Sequence, residues 1–299
     1  MYVIFGATGK VGRATVEALL EEGAAVRAVL REPAKARDFE RMGCDVAVAD
    51  LRDPPSMAGA MVGAEAIQVI CPAAPQSEDA MATMLHSLEA IASAIKVSRP
   101  PLVLAISDYG AHLSCDTGVT RLFHAMEQRL AKAATSLILL RSAEHMENWG
   151  RLIKIVASTG VLHSMHHPLT KLFPTVSAGD IGRMSARLLL KERPAAHAPV
   201  VVHGEGPRRY SPLEIAAAMA TLLGREVVAH ELPRERWQET LRAAGLSESY
   251  GALIARLYDV HNAGLIDAAD DPEQILYGTT DIVAALEHLL SERWSHRNN

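Results

Sequence analysis

Along the first half of the chain, short apolar runs alternate with stretches that are apolar on one helical face only. Tyr2-Val3-Ile4-Phe5 is followed by residues 13–22, where Val16, Leu19 and Leu20 share a face. A second strand is predicted over 25–30, a helix over about 33–42 and a third strand over 45–49. Residues 57–61 predict a helix, 66–70 a fourth strand, and 78–97 a long helix with Met81, Met84, Leu85 and Leu88 at core spacing. Residues 102–106 are almost wholly aliphatic, as in a strand buried on both faces of a parallel sheet. A helix over 119–134 and a strand over 136–141 complete the series. Right-handed crossovers between such units give an α/β fold with a doubly wound parallel sheet and a ligand crevice at the carboxyl ends of its strands.

Beyond residue 150 the regularity breaks. A helix over 151–158 precedes a loop rich in His and Pro over 162–174, then a helix over 178–190 and a strand over 199–203. A helix over 212–223, capped by Ser211 and closed by Gly224, leads to a strand over 226–231 and two or three last helices. The pattern predicts a nucleotide-binding domain over 1–150. Residues 151–299 are expected to complete the sheet and form a smaller α+β lobe over the crevice.

The first strand runs into Gly6-Ala7-Thr8-Gly9-Lys10-Val11-Gly12, a G-x-x-G-x-x-G turn that opens a helix. Backbone N–H groups and the positive end of the helix dipole at such a turn can hold a pyrophosphate. Gly6 permits the turn, Gly9 admits the phosphates, and Gly12 lets the helix pack close to its strand. The residue after the second strand reads the adenosine ribose: a carboxylate there favours NAD(H), a guanidinium NADP(H). Here it is Arg31, with Lys35 a turn later, so NADP(H) is expected rather than NAD(H). Asp50, at the end of the third strand, is placed either to bond the adenine amino group or to serve as a turn carboxylate before Asp53-Pro54. Leu51, then Cys71, Pro72 and Ala73 after the fourth strand, and Ser107 after the fifth complete the expected cofactor contacts.

Composition narrows the function classes. Hydrophobic residues make up 49% of the chain, without an unbroken apolar run of about 18 residues, so no membrane span is expected. A net charge of −5 and an aromatic content of 4% argue against nucleic acid as a partner, which requires a basic surface or stacking platforms. Cys44, Cys71 and Cys115 lie far apart, the usage of a reducing compartment, and a start inside a strand leaves no room for a signal peptide. A cytoplasmic monomer or homodimer acting on a small molecule is expected. His163, His166 and His167 have no carboxylate at ligand spacing, so they read as a surface or pocket-lining loop and no metal site is expected. Asp180 reads as a helix N-cap.

Short-chain dehydrogenases and sugar epimerases use a tyrosine whose pKa is lowered by a lysine four residues later. The residues four after Tyr2, Tyr109, Tyr210, Tyr250, Tyr258 and Tyr277 are Gly6, Leu113, Glu214, Ile254, Asn262 and Asp281, so the pair is absent. Ser107, Tyr109 and His112 follow the fifth strand, where nicotinamide lies in this fold, and could donate a proton or hydrogen bond; an ordinary loop turn is the alternative.

Four segments together resemble the NmrA-like family of atypical short-chain dehydrogenases/reductases: the glycine turn, residues 30–36, residues 138–141 running into 145–149, and residues 176–182. The resemblance runs from residue 1 to about 290 and implies an NADP-binding Rossmann domain with a small C-terminal lobe. It also implies Arg31 as the ribose-phosphate reader. Family members include quinone, triphenylmethane dye and isoflavone reductases and non-catalytic redox-sensing regulators. Several carry a His or Lys in the helix before the sixth strand that contacts nicotinamide or substrate, and His124 is the nearest counterpart here, without a lysine. The expected function is hydride transfer from NADPH to a small electron-poor acceptor such as a quinone, with a cofactor-sensing regulator or an epimerase-like protein as alternatives.

Overall fold

The computed structural model describes residues 1–191, 198–268 and 274–295; parts of the expected C-terminal lobe at 192–197, 269–273 and 296–299 lie outside these. In chain order the first half forms β1 (Tyr2–Phe5), α1 (Lys10–Glu21), β2 (Val26–Leu30), α2 (Ala36–Arg41), β3 (Asp45–Val48) and α3 (Pro54–Ala60). It continues with β4 (Ala66–Ile70), α4 (Ala80–Ser98), β5 (Val103–Asp108), α5 (Thr120–Ala133) and β6 (Leu137–Ser142). The second half forms β7 (Glu144–His145), α6 (Ile153–Thr159), β8 (Val161–Ser164), β9 (Thr175–Val176), α7 (Ala178–Leu190) and β10 (Val200–Glu205). It ends with α8 (Pro212–Leu223), β11 (Val228–Glu231), α9 (Trp237–Ala243), α10 (Glu248–Asn262), β12 (Ile275–Tyr277) and α11 (Ile282–Ser295).

The main sheet is parallel and runs β12-β10-β6-β5-β4-β1-β2-β3. Strand order reverses between β1 and β4, which opens a crevice at their carboxyl ends. Ile4, Leu104, Ile106 and Leu140 face α1 and α7 on one side, while Val3, Phe5, Ile67 and Val103 face α3, α4 and α5 on the other. Trp149, Phe173, Tyr210 and Met219 centre a separate core under the C-terminal elements.

The two resembling segments furthest apart in sequence meet physically. A Cβ on Gly182 of α7 would lie 2.5 Å from the Ala14 Cβ and 2.7 Å from the Val11 carbonyl, so α7 rests on the backbone of α1. A Cβ on Gly12 would strike the Gly6 carbonyl at 2.2 Å, which locks α1 against its own turn. Gln68 of β4 ties the layers together: its buried Oε1 accepts from Thr15 of α1 at 2.9 Å and from Ser185 of α7. At the start of α7, both carboxylate oxygens of Glu147 accept the Ala178 N–H at 3.0 Å, satisfying a first-turn donor with a negative charge.

Several expectations change. Ser177, not Asp180, caps α7; Asp180 is buried one turn in, where it accepts from Arg183 and from the Thr280 N–H at 2.9 Å. Part of the expected loop over 162–174 belongs to β8, which pairs with β11 in a two-stranded sheet away from the main one, and β12 adds an edge strand that the pattern did not signal.

The α1–α7 contact is testable by paired substitutions. Gly182→Ala should lower unfolding free energy by about 1–3 kcal/mol through overpacking. Gly179→Ala, whose nearest contact of 3.4 Å is ordinary, should be neutral or gain up to about 1 kcal/mol from helix propensity. Urea unfolding of the two variants checks this; equal effects would mean the helices are not in backbone contact.

Candidate cofactor and substrate site

The glycine turn holds its expected place between β1 and α1. Gly6 has φ +70°, a left-handed conformation suited to glycine, and its carbonyl accepts the Gly9 N–H at 2.9 Å. No side chain caps α1 and no acid occupies its first turn, so the positive end of the helix is left to a ligand. Thr8, Gly9 and Lys10 are exposed there, whereas Ala7, Val11 and Gly12 are buried beneath them. These features fit a dinucleotide pyrophosphate: the approach is open exactly where a Cβ or a cap would obstruct it.

Beside the turn lies a cleft of about 290 Å³ lined by Gly6, Thr8, Arg31, Glu32, Lys35, Asp50, Leu51, Arg52, Pro72 and Ala73, and closed by Thr83, Met84 and Ser87 of α4. Arg31 is 78% exposed, and Glu32 reaches both cations, at 3.5 Å from Arg31 and 3.6 Å from Lys35. Such solvent-exposed pairs are weak and easily exchanged for a phosphate. Asp50 already has a partner in Arg52. Its carboxylate binds the Arg52 guanidinium at 2.7 and 3.1 Å and the Arg52 N–H at 2.9 Å, and these bonds hold its pKa down to about 2. Arg52, Thr83 and Ser87 were not foreseen, because a lone arginine in a turn and two small hydroxyls in an apolar helix carry no spacing signal.

Two of the expected donors after β5, Tyr109 and Ser107, are turned into the core. Tyr109 is 1% exposed, donates to Glu205 Oε2 at 3.2 Å and sets its ring edge on His203, so its hydroxyl belongs to the core rather than to the crevice. Burial raises its pKa well above the usual range. Ser107 is buried and donates to Glu127 at 2.6 Å, within a bidentate Glu127–Arg141 pair that clamps α5 to β6. His124 is also structural, with Nδ1 2.7 Å from the Ala111 carbonyl. His112 is exposed in the loop beyond Tyr109. Cys71 is buried outside the cleft lining, which pushes its thiol up to about 12.

What gathers at the carboxyl ends of β5 and β6 is a different set. Glu144 accepts from His166 Nε2 at 2.7 Å, and His166 stacks on Phe173 with ring centroids 3.8 Å apart. Burial disfavours the Glu144 charge, but His166 outweighs it and its pKa falls below the ordinary value. Burial lowers His145 and takes His261 down to about 3, so both are neutral at pH 7. Tyr250 and Tyr258 of α10 close over this region. Asp108, at the end of β5, accepts from Thr120 Oγ1 at 2.5 Å; burial pushes it up to about 7. No metal-binding group of three or more ligands occurs among the described residues, and none of their helices is long and apolar enough to cross a membrane.

Residues 6–147 match a family model described as NAD(P)H-binding. The chain is 24% identical to an NAD(P)H azoreductase of Xenophilus azovorans over 89% of this chain and 91% of that protein. It is 23% identical to quinone oxidoreductase 2 of Escherichia coli, covering 97% and 99%. The Citrobacter triphenylmethane reductase solved with NADP(H) superposes with a TM-score of 0.79 at 16% identity, over 96% of this chain and 99% of that one. The chain thus carries an NAD(P)H-binding region over residues 6–147 and shares the fold of these reductases. The four segments that carry the resemblance form the glycine turn, the Arg31 end of β2, the Arg141 clamp with the Glu147 cap, and the glycine of α7 that lies on α1.

The Tyr109 assignment gives an expected outcome. Tyr109→Phe removes one buried hydrogen bond while Arg209 still holds Glu205 at 2.8 Å, so unfolding in urea should show a loss of about 0.5–1.5 kcal/mol. An unchanged stability would mean that the hydroxyl is not bonded in the core.

Proposed function

We propose that the protein is an NADPH-dependent reductase that passes a hydride to a small, electron-poor acceptor such as a quinone or an azo compound. The observation that carries this reading is the uncapped start of α1 opening beside a cleft that holds Arg31 and Lys35. The turn suits a pyrophosphate, and the two cations suit a ribose 2′-phosphate, for which the arginine fork is the better match. When bound, the reduced nicotinamide supplies the hydride, and the chain supplies binding, orientation and exclusion of water. From the turn, the cleft continues past Pro72 and Ala73 at the end of β4, the direction in which the rest of a dinucleotide would run. The named relatives reduce azo compounds and quinones, by their names, which supports an acceptor of that class. The absent Tyr-x-x-x-Lys pair speaks against epimerase chemistry.

Arg31→Ala should weaken NADPH binding by roughly ten- to a hundredfold, the worth of charge-assisted bonds of about 1.5–3 kcal/mol, and leave NADH binding unchanged. Fluorescence titration with both cofactors checks this; equal affinities in the unaltered protein would contradict it. Steady-state NADPH oxidation against a panel of quinones and azo dyes tests the reaction. Tight binding without turnover on every acceptor would favour a cofactor sensor.

A further inference from the structure

The three histidines of residues 163–167 do not act together. His166 is buried against Phe173 and bonded to Glu144, and His167 Nε2 donates to the Ser164 carbonyl at 3.1 Å. His163 stands apart from both, and its neighbour comes from β11, which the chain reaches only after β9, α7, β10 and α8. In the parallel pair of β8 and β11, His163 lies directly opposite His230. Backbone bonds on either side hold that register, from the Val228 N–H to the Gly160 carbonyl at 2.9 Å and from the Leu232 N–H to the Ser164 carbonyl at 2.8 Å. Leu162 and Ala229, one residue earlier on each strand, are buried in the core of the C-terminal elements, so alternation puts both imidazoles on the outer face. There both are exposed with ring centroids 6.1 Å apart, and among the described residues neither ring has a hydrogen-bond partner.

We propose that His163 and His230 form a two-histidine chelate for a borderline divalent cation of the zinc, nickel and copper(II) class, with water in the other coordination positions. Imidazole nitrogen is a donor that this class favours, whereas magnesium and calcium take oxygen. The spacing fits. With metal–nitrogen bonds of about 2.0–2.1 Å, two imidazoles on one ion hold their centroids about 5 Å apart at a tetrahedral angle and about 6 Å apart as that angle opens. Turning the exposed side chains is enough to bring the two rings onto one ion, and the strands need not move. Two protein ligands are fewer than the three or four of catalytic and structural zinc sites, so the ion exchanges readily and the fold does not require it. Neither histidine lines the cofactor cleft, so the site is independent of the reductase reading. An ion held there joins β8 to β11 and binds only the folded chain, which stabilises it.

Zinc titration of the metal-stripped full chain against a chromogenic chelator tests the assignment. His163→Ala and His230→Ala should each weaken one zinc site of the parent by roughly tenfold or more, because a lone imidazole loses the chelate, and the double variant should lose no more than either single one. Magnesium should not compete for that site. Copper(II) bound to the parent should show electron paramagnetic resonance couplings from two imidazole nitrogens, falling to one in either variant. In metal-free buffer both variants should unfold at the parent's urea midpoint, since the positions are exposed, and zinc should raise that midpoint in the parent alone. A parent that binds no zinc, an affinity that both substitutions leave unchanged, or a loss confined to one of the two variants overturns the assignment.

Discussion

The contact of α7 with the backbone of α1 is the constraint on which the site depends. Gly182 admits that contact, and Gly12, on the other side of the same helix, sets α1 against the Gly6 carbonyl. A phosphate-binding turn works only if its N–H groups are held still, since they gain little from a charge they must first move to meet. Here α1 is fixed from both sides by close packing and from below by the Thr15–Gln68–Ser185 bonds. The second half of the chain therefore does more than roof the crevice. It supplies the helix that immobilises the cofactor turn, and Glu147, just after β6, completes the start of that helix.

The crevice divides into two electrostatic halves. Beside β2 and β3 it is open and cationic, with Arg31, Lys35 and Arg52 around an acid that already has a partner in Arg52. Beside β5 and β6 it is closed over by α10 and carries carboxyl groups with imidazoles that burial keeps neutral. A polyanionic cofactor tail suits the first half. The second half suits a neutral, flat acceptor.

Regular repetition made the first half of the fold legible from sequence, as in β4 at 66–70, and in the second half α7 at 178–190 also stands where the hydrophobic period put it. The glycine turn was legible too, because its shape follows from adjacent residues. Long-range pairing was not. Tyr109 read as a crevice donor because its partner, Glu205, lies 96 residues away. Glu144 and His166, 22 residues apart, meet through β7 and the end of β8, and no spacing in the chain announces them.

A crystal structure of the protein with oxidised NADP bound would test the proposed division of the crevice most directly. The pyrophosphate should lie on the N–H groups at the start of α1, the 2′-phosphate within hydrogen-bond distance of Arg31, and the nicotinamide ring over the ends of β4 and β5. A dinucleotide bound in the reverse sense, or a nicotinamide ring outside the space under α10, would contradict it.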